Sequence, residues 1–153
     1  MEKIREAFKE FCNIEKWNDP CAVTLTMRLS SKDGERASLI TCSQNMRFFL
    51  TSLCRRVYKN AARRGLKRLK VIPVIEQDAS GRFHYHVAID RPPHIEQGEF
   101  ERLILENWRR TRFGYEQVHI VTGVNDGWID YMAKFRSKAN YADAIDWVNV
   151  RVA

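Results

Sequence analysis

Two alternating runs, LKVIPVIEQ at 69–77 and RFHYHVAID at 82–90, are separated only by the turn-forming residues DASG. No other feature constrains the fold as strongly. Side chains of a strand alternate between two faces, and two such runs joined through a short Asp/Ser/Gly turn read as an antiparallel hairpin. Whatever else the chain forms must be built around that hairpin.

The rest of the chain supplies the surroundings. Residues 2–17 read as a helix with Ile4, Ala7, Phe8, Phe11 and Ile14 on one stripe, ended by Asn18-Asp19-Pro20. CAVTLTMRL at 21–29 alternates as a strand, with Val23, Leu25 and Met27 on one face and Thr24, Thr26 and Arg28 on the other. A turn at 30–35 follows, and RASLITC can make a short strand. Ser43 caps a long helix reaching about Arg64, with Met46, Phe49, Leu50, Leu53, Val57 and Ala61 buried and Gly65 as its stop. Beyond the hairpin come a break at Arg91-Pro92-Pro93, a helix over 97–110, a strand over 115–122 and a short helix, WIDYMAKF. The tail AIDWVNVRV is either a last strand or an extended closing segment.

Strand, helix, strand, strand, helix, strand is the ferredoxin-like βαββαβ order, an α+β fold. The expected architecture is a central antiparallel sheet with HxH on a central strand. Helices pack on one face, and the other face stays open for a ligand. A chain of 153 residues suits a single domain, 1–153. No apolar run is long enough for a membrane span, and the N-terminus MEKIREAFKEF has no signal-peptide core. Cys12, Cys21, Cys42 and Cys54 lack CxxC spacing and read as reduced thiols. These features point to a cytoplasmic, intracellular protein, nucleoid-associated if a bacterial plasmid or phage encodes it.

Charge is unevenly placed. Residues 43–70 hold nine Lys or Arg and no acid, so with a net charge of +7 the remaining residues sum to −2. A localised basic block favours a polyanionic partner, nucleic acid first. Phosphate contacts are expected from Arg55, Arg56, Lys59, Arg63, Arg64, Lys67 and Arg68, with Arg28 and Thr26 as further candidates.

Within the second hairpin strand, His84 and His86 share a face, and Asp90 shares their parity. Two imidazoles and one carboxylate leave open positions on a metal, which suits Mg²⁺, Mn²⁺, Zn²⁺ or non-haem Fe²⁺. Glu76 is the first candidate for the carboxylate, and Asp90 is the second. Glu76 lies opposite His84 only if the loop holds an odd number of residues, such as 78–82; a four-residue DASG loop pairs it with Phe83. His94 and His119 read as surface or core residues, and Tyr85 as core. An all-β cupin also uses HxH with an acid, but three helices argue against it. On the short helix, Tyr131 and Lys134 are three apart and share a face. Tyrosine can act as a covalent nucleophile, and lysine can supply positive charge beside a phosphate.

The strand AVTLTMR at 22–28, HYH at 84–86 and YMAK at 131–134, in that order and spacing, resemble the three motifs of the HUH endonuclease superfamily in its replication-initiator (Rep) branch. The resemblance spans about residues 20–136. It implies that His84, His86 and Glu76 hold Mg²⁺ or Mn²⁺. It implies that Tyr131 attacks a phosphate of single-stranded DNA, leaving a 3′-OH and a 5′-phosphotyrosine. Lys134 would position the phosphate or neutralise its charge. The implied partner is single-stranded DNA at a replication origin, with or without a hairpin. There is one motif tyrosine, Tyr141 lying too far along to complete a close pair. There is no GxxxxGK[ST] loop, so a separate helicase is implied, or a nuclease domain within a longer protein. A monomer is favoured.

Two other readings compete. A single-tyrosine HUH transposase usually places a polar ligand one turn beyond its tyrosine, where this chain has Phe135. A basic nucleic-acid-binding module on a ferredoxin-like sheet usually shows the aromatic RNP signature, which is missing here.

Overall fold

The computed structural model describes residues 2–135 and 144–153. Its elements are α1 (Glu2–Cys12), β1 (Pro20–Met27), α2 (Leu39–Tyr58), the one-turn α3 (Asn60–Arg63), β2 (Val71–Gln77), β3 (Phe83–Asp90), α4 (Gln97–Arg109), β4 (Gly114–Val121) and α5 (Gly127–Phe135). Four strands form one antiparallel sheet in the order β2-β3-β1-β4. This is the ferredoxin-like plan, with HYH on an interior strand.

Alternation explains the layering. Cys21, Val23, Leu25 and Met27 of β1 and Phe83, Tyr85, Val87 and Ile89 of β3 point to one side. There they meet Met46, Phe49 and Leu53 of α2 and Phe100, Ile104 and Trp108 of α4. The Trp108 ring packs edge-on against Phe49 at 5.3 Å, and its Nε1 donates to the Thr26 carbonyl at 3.0 Å. The largest buried side chain thus leaves no orphaned donor.

The second face is half covered. Ile72 and Val74 of β2 and Ala88 of β3 are buried under Phe8 and Cys12 of α1, Ile14 and Trp17 beyond it, and Trp128, Ile129 and Met132 of α5. Only the end of the sheet that carries the histidines stays open. The sequence pattern shows both helices as amphipathic but does not say which surface receives them.

Several element ends differ from expectation. The first helix stops at Cys12 because Asn13 enters the left-handed region at φ 52°, ψ 42°, which asparagine tolerates. A 3₁₀ turn, Ile14–Lys16, follows. Residues 39–42 are helix, not strand. Ser38 caps α2: its hydroxyl accepts from the Thr41 N–H at 3.2 Å, and the Thr41 hydroxyl accepts from the Ser38 N–H at 2.8 Å. That reciprocal box fixes the start one turn before Ser43. The far end stops at Tyr58, because Lys59 has φ 52° and α3 buries nothing that would hold a longer helix.

The hairpin loop settles the register. Asp78 N–H donates to the Arg82 carbonyl at 2.9 Å, closing five residues, 78–82. Gly81 at φ 89° supplies a backbone conformation that L side chains rarely adopt. The odd count pairs Glu76 with His84 and Gln77 with Phe83.

The tail is a closing segment. Arg151 and Ile145 make single bridges to Val71 and Val74 on the outer edge of β2, around a 3₁₀ turn at Trp147–Asn149. An edge strand carrying Pro73 is thereby covered rather than left open to other chains. Asp146 ties the segment down. It accepts from the Tyr85 hydroxyl at 2.8 Å, the Ser43 hydroxyl at 3.0 Å and Asn149 Nδ2 at 2.8 Å. Burial first, and then Asp146, hold the Tyr85 phenol far above its ordinary pKa. Tyr85 is therefore a core donor, as its parity indicates. Tyr85→Phe should lower stability by about 2 kcal/mol, the usual worth of a hydrogen bond to a charged group. A urea titration should show a lower midpoint with an unchanged slope.

All four cysteines are free. Burial pushes the thiols of Cys12, Cys21 and Cys42 up to about 12, which keeps them inert. Among the described residues, no helix is long and apolar enough to cross a membrane.

Candidate active site

The open end of the sheet is built by strand register. Cross-strand partners share a face, so Glu76 of β2, His84 of β3 and Thr26 of β1 form one row. Val74, His86, Thr24 and His119 form the next row, reaching across to β4.

Each imidazole is held at both nitrogens. His84 Nδ1 lies 3.3 Å from the Thr26 hydroxyl, and its Nε2 lies 2.9 Å from Asp78 Oδ2. The carboxylate only accepts, so Nε2–H donates to it and Nδ1 accepts from the threonine. His86 Nδ1 lies 3.5 Å from the Thr24 hydroxyl, and its Nε2 lies 3.3 Å from Glu76 Oε2. Both histidine side chains are about one-fifth exposed, so they are oriented and still reachable.

The two carboxylate candidates separate clearly. Glu76 sits among the histidines. Asp90 is buried at the other end of β3, where its oxygens accept the main-chain N–H groups of Asn18 at 3.1 Å and Asp19 at 2.8 Å. It clamps the entry to β1 instead. The structure adds Asp78, the first residue of the hairpin loop, which the sequence reading treated only as a turn former. Hydrogen bonds from Ser80 and then His84 hold its carboxyl well below the usual range.

Tyr131 approaches from α5. It is 58% exposed and lines a cleft of about 440 Å³ together with Thr24, His86, His119 and Trp128. The helix that half-covers the second sheet face thus brings Tyr131 to the histidine row. His119 is in the cleft rather than a bystander; its signal lay in the β4 register, which no local pattern gives. His94 is structural, donating Nε2–H to the Val57 carbonyl at 2.9 Å. Lys134 follows in α5, its side chain outside the described residues, as is Tyr141.

The basic block is not brought to this site. α2 packs on the sheet face opposite the histidines. Arg55, Lys59, Arg63, Arg64, Lys67 and Arg68 are exposed there, and Arg56 pairs with Glu106 at 3.3 Å. Arg28 follows β1, its Nε donating to the Ser30 carbonyl at 3.3 Å.

A model of the replication-associated protein ORF2 family matches residues 20–140, most of the chain and all three motif stretches. The chain belongs to this family. Its members are rolling-circle replication initiators, so the chain acts in replication initiation and its partner is DNA. The ORF2-family match begins where β1 begins and runs through α5, so it contains the whole sheet, the histidine pair and Tyr131. Comparison with curated proteins and with solved structures gave no match.

Among the described residues, no three histidine, cysteine or acidic side chains converge as a ready-made metal cage. Two imidazole–carboxylate pairs stand side by side instead. The donor set, imidazole nitrogen with carboxylate oxygen, fits a divalent ion in kind.

Proposed function

We propose that this initiator nicks single-stranded DNA at a replication origin by metal-dependent transesterification, with Tyr131 as the nucleophile. The observation that carries the reading is that Tyr131 and His86, 45 positions apart in the chain, line one cleft. His84, His86 and Glu76 are the proposed holders of Mg²⁺ or Mn²⁺, with Asp78 within reach of His84. In the structure each Nε2 faces a carboxylate oxygen, where a shared proton stands in the place a cation takes. When bound, the ion would polarise the scissile phosphate and stabilise charge on its oxygens.

The protein's own residues do the rest. Thr24 and Thr26 hold each ring by its Nδ1, so that Nε2 points outward. His119, Trp128 and Tyr131 give the cleft ring surfaces on which unpaired bases can stack. The Tyr131 oxygen attacks phosphorus, and the bond from phosphorus to the 3′ oxygen breaks. The phenol proton passes to solvent, and the leaving 3′ oxygen takes one up. The 5′ end stays on Tyr131 as a phosphodiester, so a later 3′-OH can reverse the step without an external energy source. Lys134, on the same helix as Tyr131, is proposed to neutralise charge on the phosphate. A separate helicase would open the duplex.

The test is incubation with a pool of single-stranded oligonucleotides and Mn²⁺, read on a denaturing gel. A protein–DNA adduct that survives boiling and is absent with EDTA is expected. Tight DNA binding with neither adduct nor metal-dependent cleavage, from a pool broad enough to hold a usable site, would make the chain a binding module.

A further inference from the structure

A second cleft lies on the other side of the molecule. It has a volume of about 800 Å³ and is bounded by α2, α3, the connection into β2 and the closing segment. Arg47, Arg55, Arg63, Lys67, Arg68 and Arg151 line it, and no acidic side chain stands among its described lining residues. Six cationic side chains around one depression, with no carboxylate side chain between them, repel one another. Arg151 registers this: burial, and then the nearby Arg68 and Arg47, lower its affinity for its proton. Such crowding costs stability unless an anion relieves it.

Two features identify the anion. The cations are spread over two helices, a loop and the closing segment, so they fit several phosphates rather than one. The only aromatic ring in the described lining is Tyr58, which is already packed against His94 at 5.3 Å between centroids. Single strands need open rings on which to stack unpaired bases, whereas a duplex offers its backbone alone. The histidine cleft has the rings, and this one has the charge.

We infer that the cleft between α2, α3 and the closing segment is a second DNA site, which grips the phosphate backbone of double-stranded DNA. This rests on the proposed reading of the histidine cleft as the single-strand site. The protein would hold a duplex arm of its origin on one side while the unpaired strand crosses the opposite sheet face.

The test is binding, which needs no catalysis and so stands apart from the nicking assay. Tyr131→Phe protein is titrated with a blunt duplex and with an unstructured single strand of equal length, across a salt series. The same titrations are repeated with Arg47→Glu, Lys67→Glu and Arg68→Glu combined. The triple variant should bind the duplex at least tenfold more weakly, with a log–log salt slope shallower by roughly 2.7, since each lost phosphate contact removes about 0.9. The single strand should lose less. Equal or greater loss for the single strand would overturn the assignment, as would unchanged duplex affinity. A variant with Arg47→Lys and Arg68→Lys keeps the charge and should bind the duplex as the parent does. Should the triple variant fail to fold, the parent's own salt series decides. A duplex slope steeper than about −3 supports the cleft, and a slope near zero overturns it.

Discussion

Tyr131→Phe should eliminate the covalent protein–DNA adduct and leave the fold intact. The side chain is more than half exposed, so removal of one hydroxyl disturbs no core contact. The ring remains to line the cleft, and single-stranded DNA should still bind. Only the attacking oxygen is gone. The expected pattern is therefore a lost adduct, lost nicking, an unchanged melting temperature and near-parental affinity for the single strand. An adduct that persists would move the nucleophile elsewhere, and Tyr141 would be the next residue to replace. Tyr85 is not a candidate, because burial and Asp146 keep its phenol protonated.

The second large effect should come from His86→Ala. This residue links the two halves of the site: its Nε2 faces Glu76, and its ring lines the cleft with Tyr131. If it is a metal ligand, Mn²⁺ affinity should fall by more than the roughly 10–100-fold typical of losing an outer-shell partner. Thr24→Val, which removes only the hydroxyl at Nδ1, should fall within that smaller range. Mn²⁺ titration followed by electron paramagnetic resonance reads the affinity directly, without DNA. Equal affinity in His86→Ala and the parent protein would remove the histidine pair from the metal site.

Much of this architecture is written locally. The period-2 pattern gives β1, β2 and β3, the 3.6-residue stripe gives α2 and α4, and their order gives the sheet. The common face of His84 and His86 follows from parity alone. Other features depend on contacts between distant segments. Asp78 reads as a turn former until the loop folds it back to His84. His119 reads as a surface residue until β4 pairs with β1. Ser43 resembles a helix cap, but the reciprocal pair at Ser38 and Thr41 wins and frees its hydroxyl for Asp146. The basic block is plain in the sequence, but its side of the sheet is fixed only when Phe49 and Leu53 turn inward.

The five-residue loop between β2 and β3 carries a consequence for how such a protein can change. Adding or deleting two residues there leaves Glu76 beside the histidines and merely alters the reach of Asp78. A change of one residue sets Glu76 against Phe83, whose side chain belongs to the core, and the hairpin can close only by bulging or by surrendering the carboxylate. The tip of this hairpin is exposed and looks permissive. Its length is nonetheless quantised in steps of two, and that hidden rule ties a surface loop to the chemistry on the sheet.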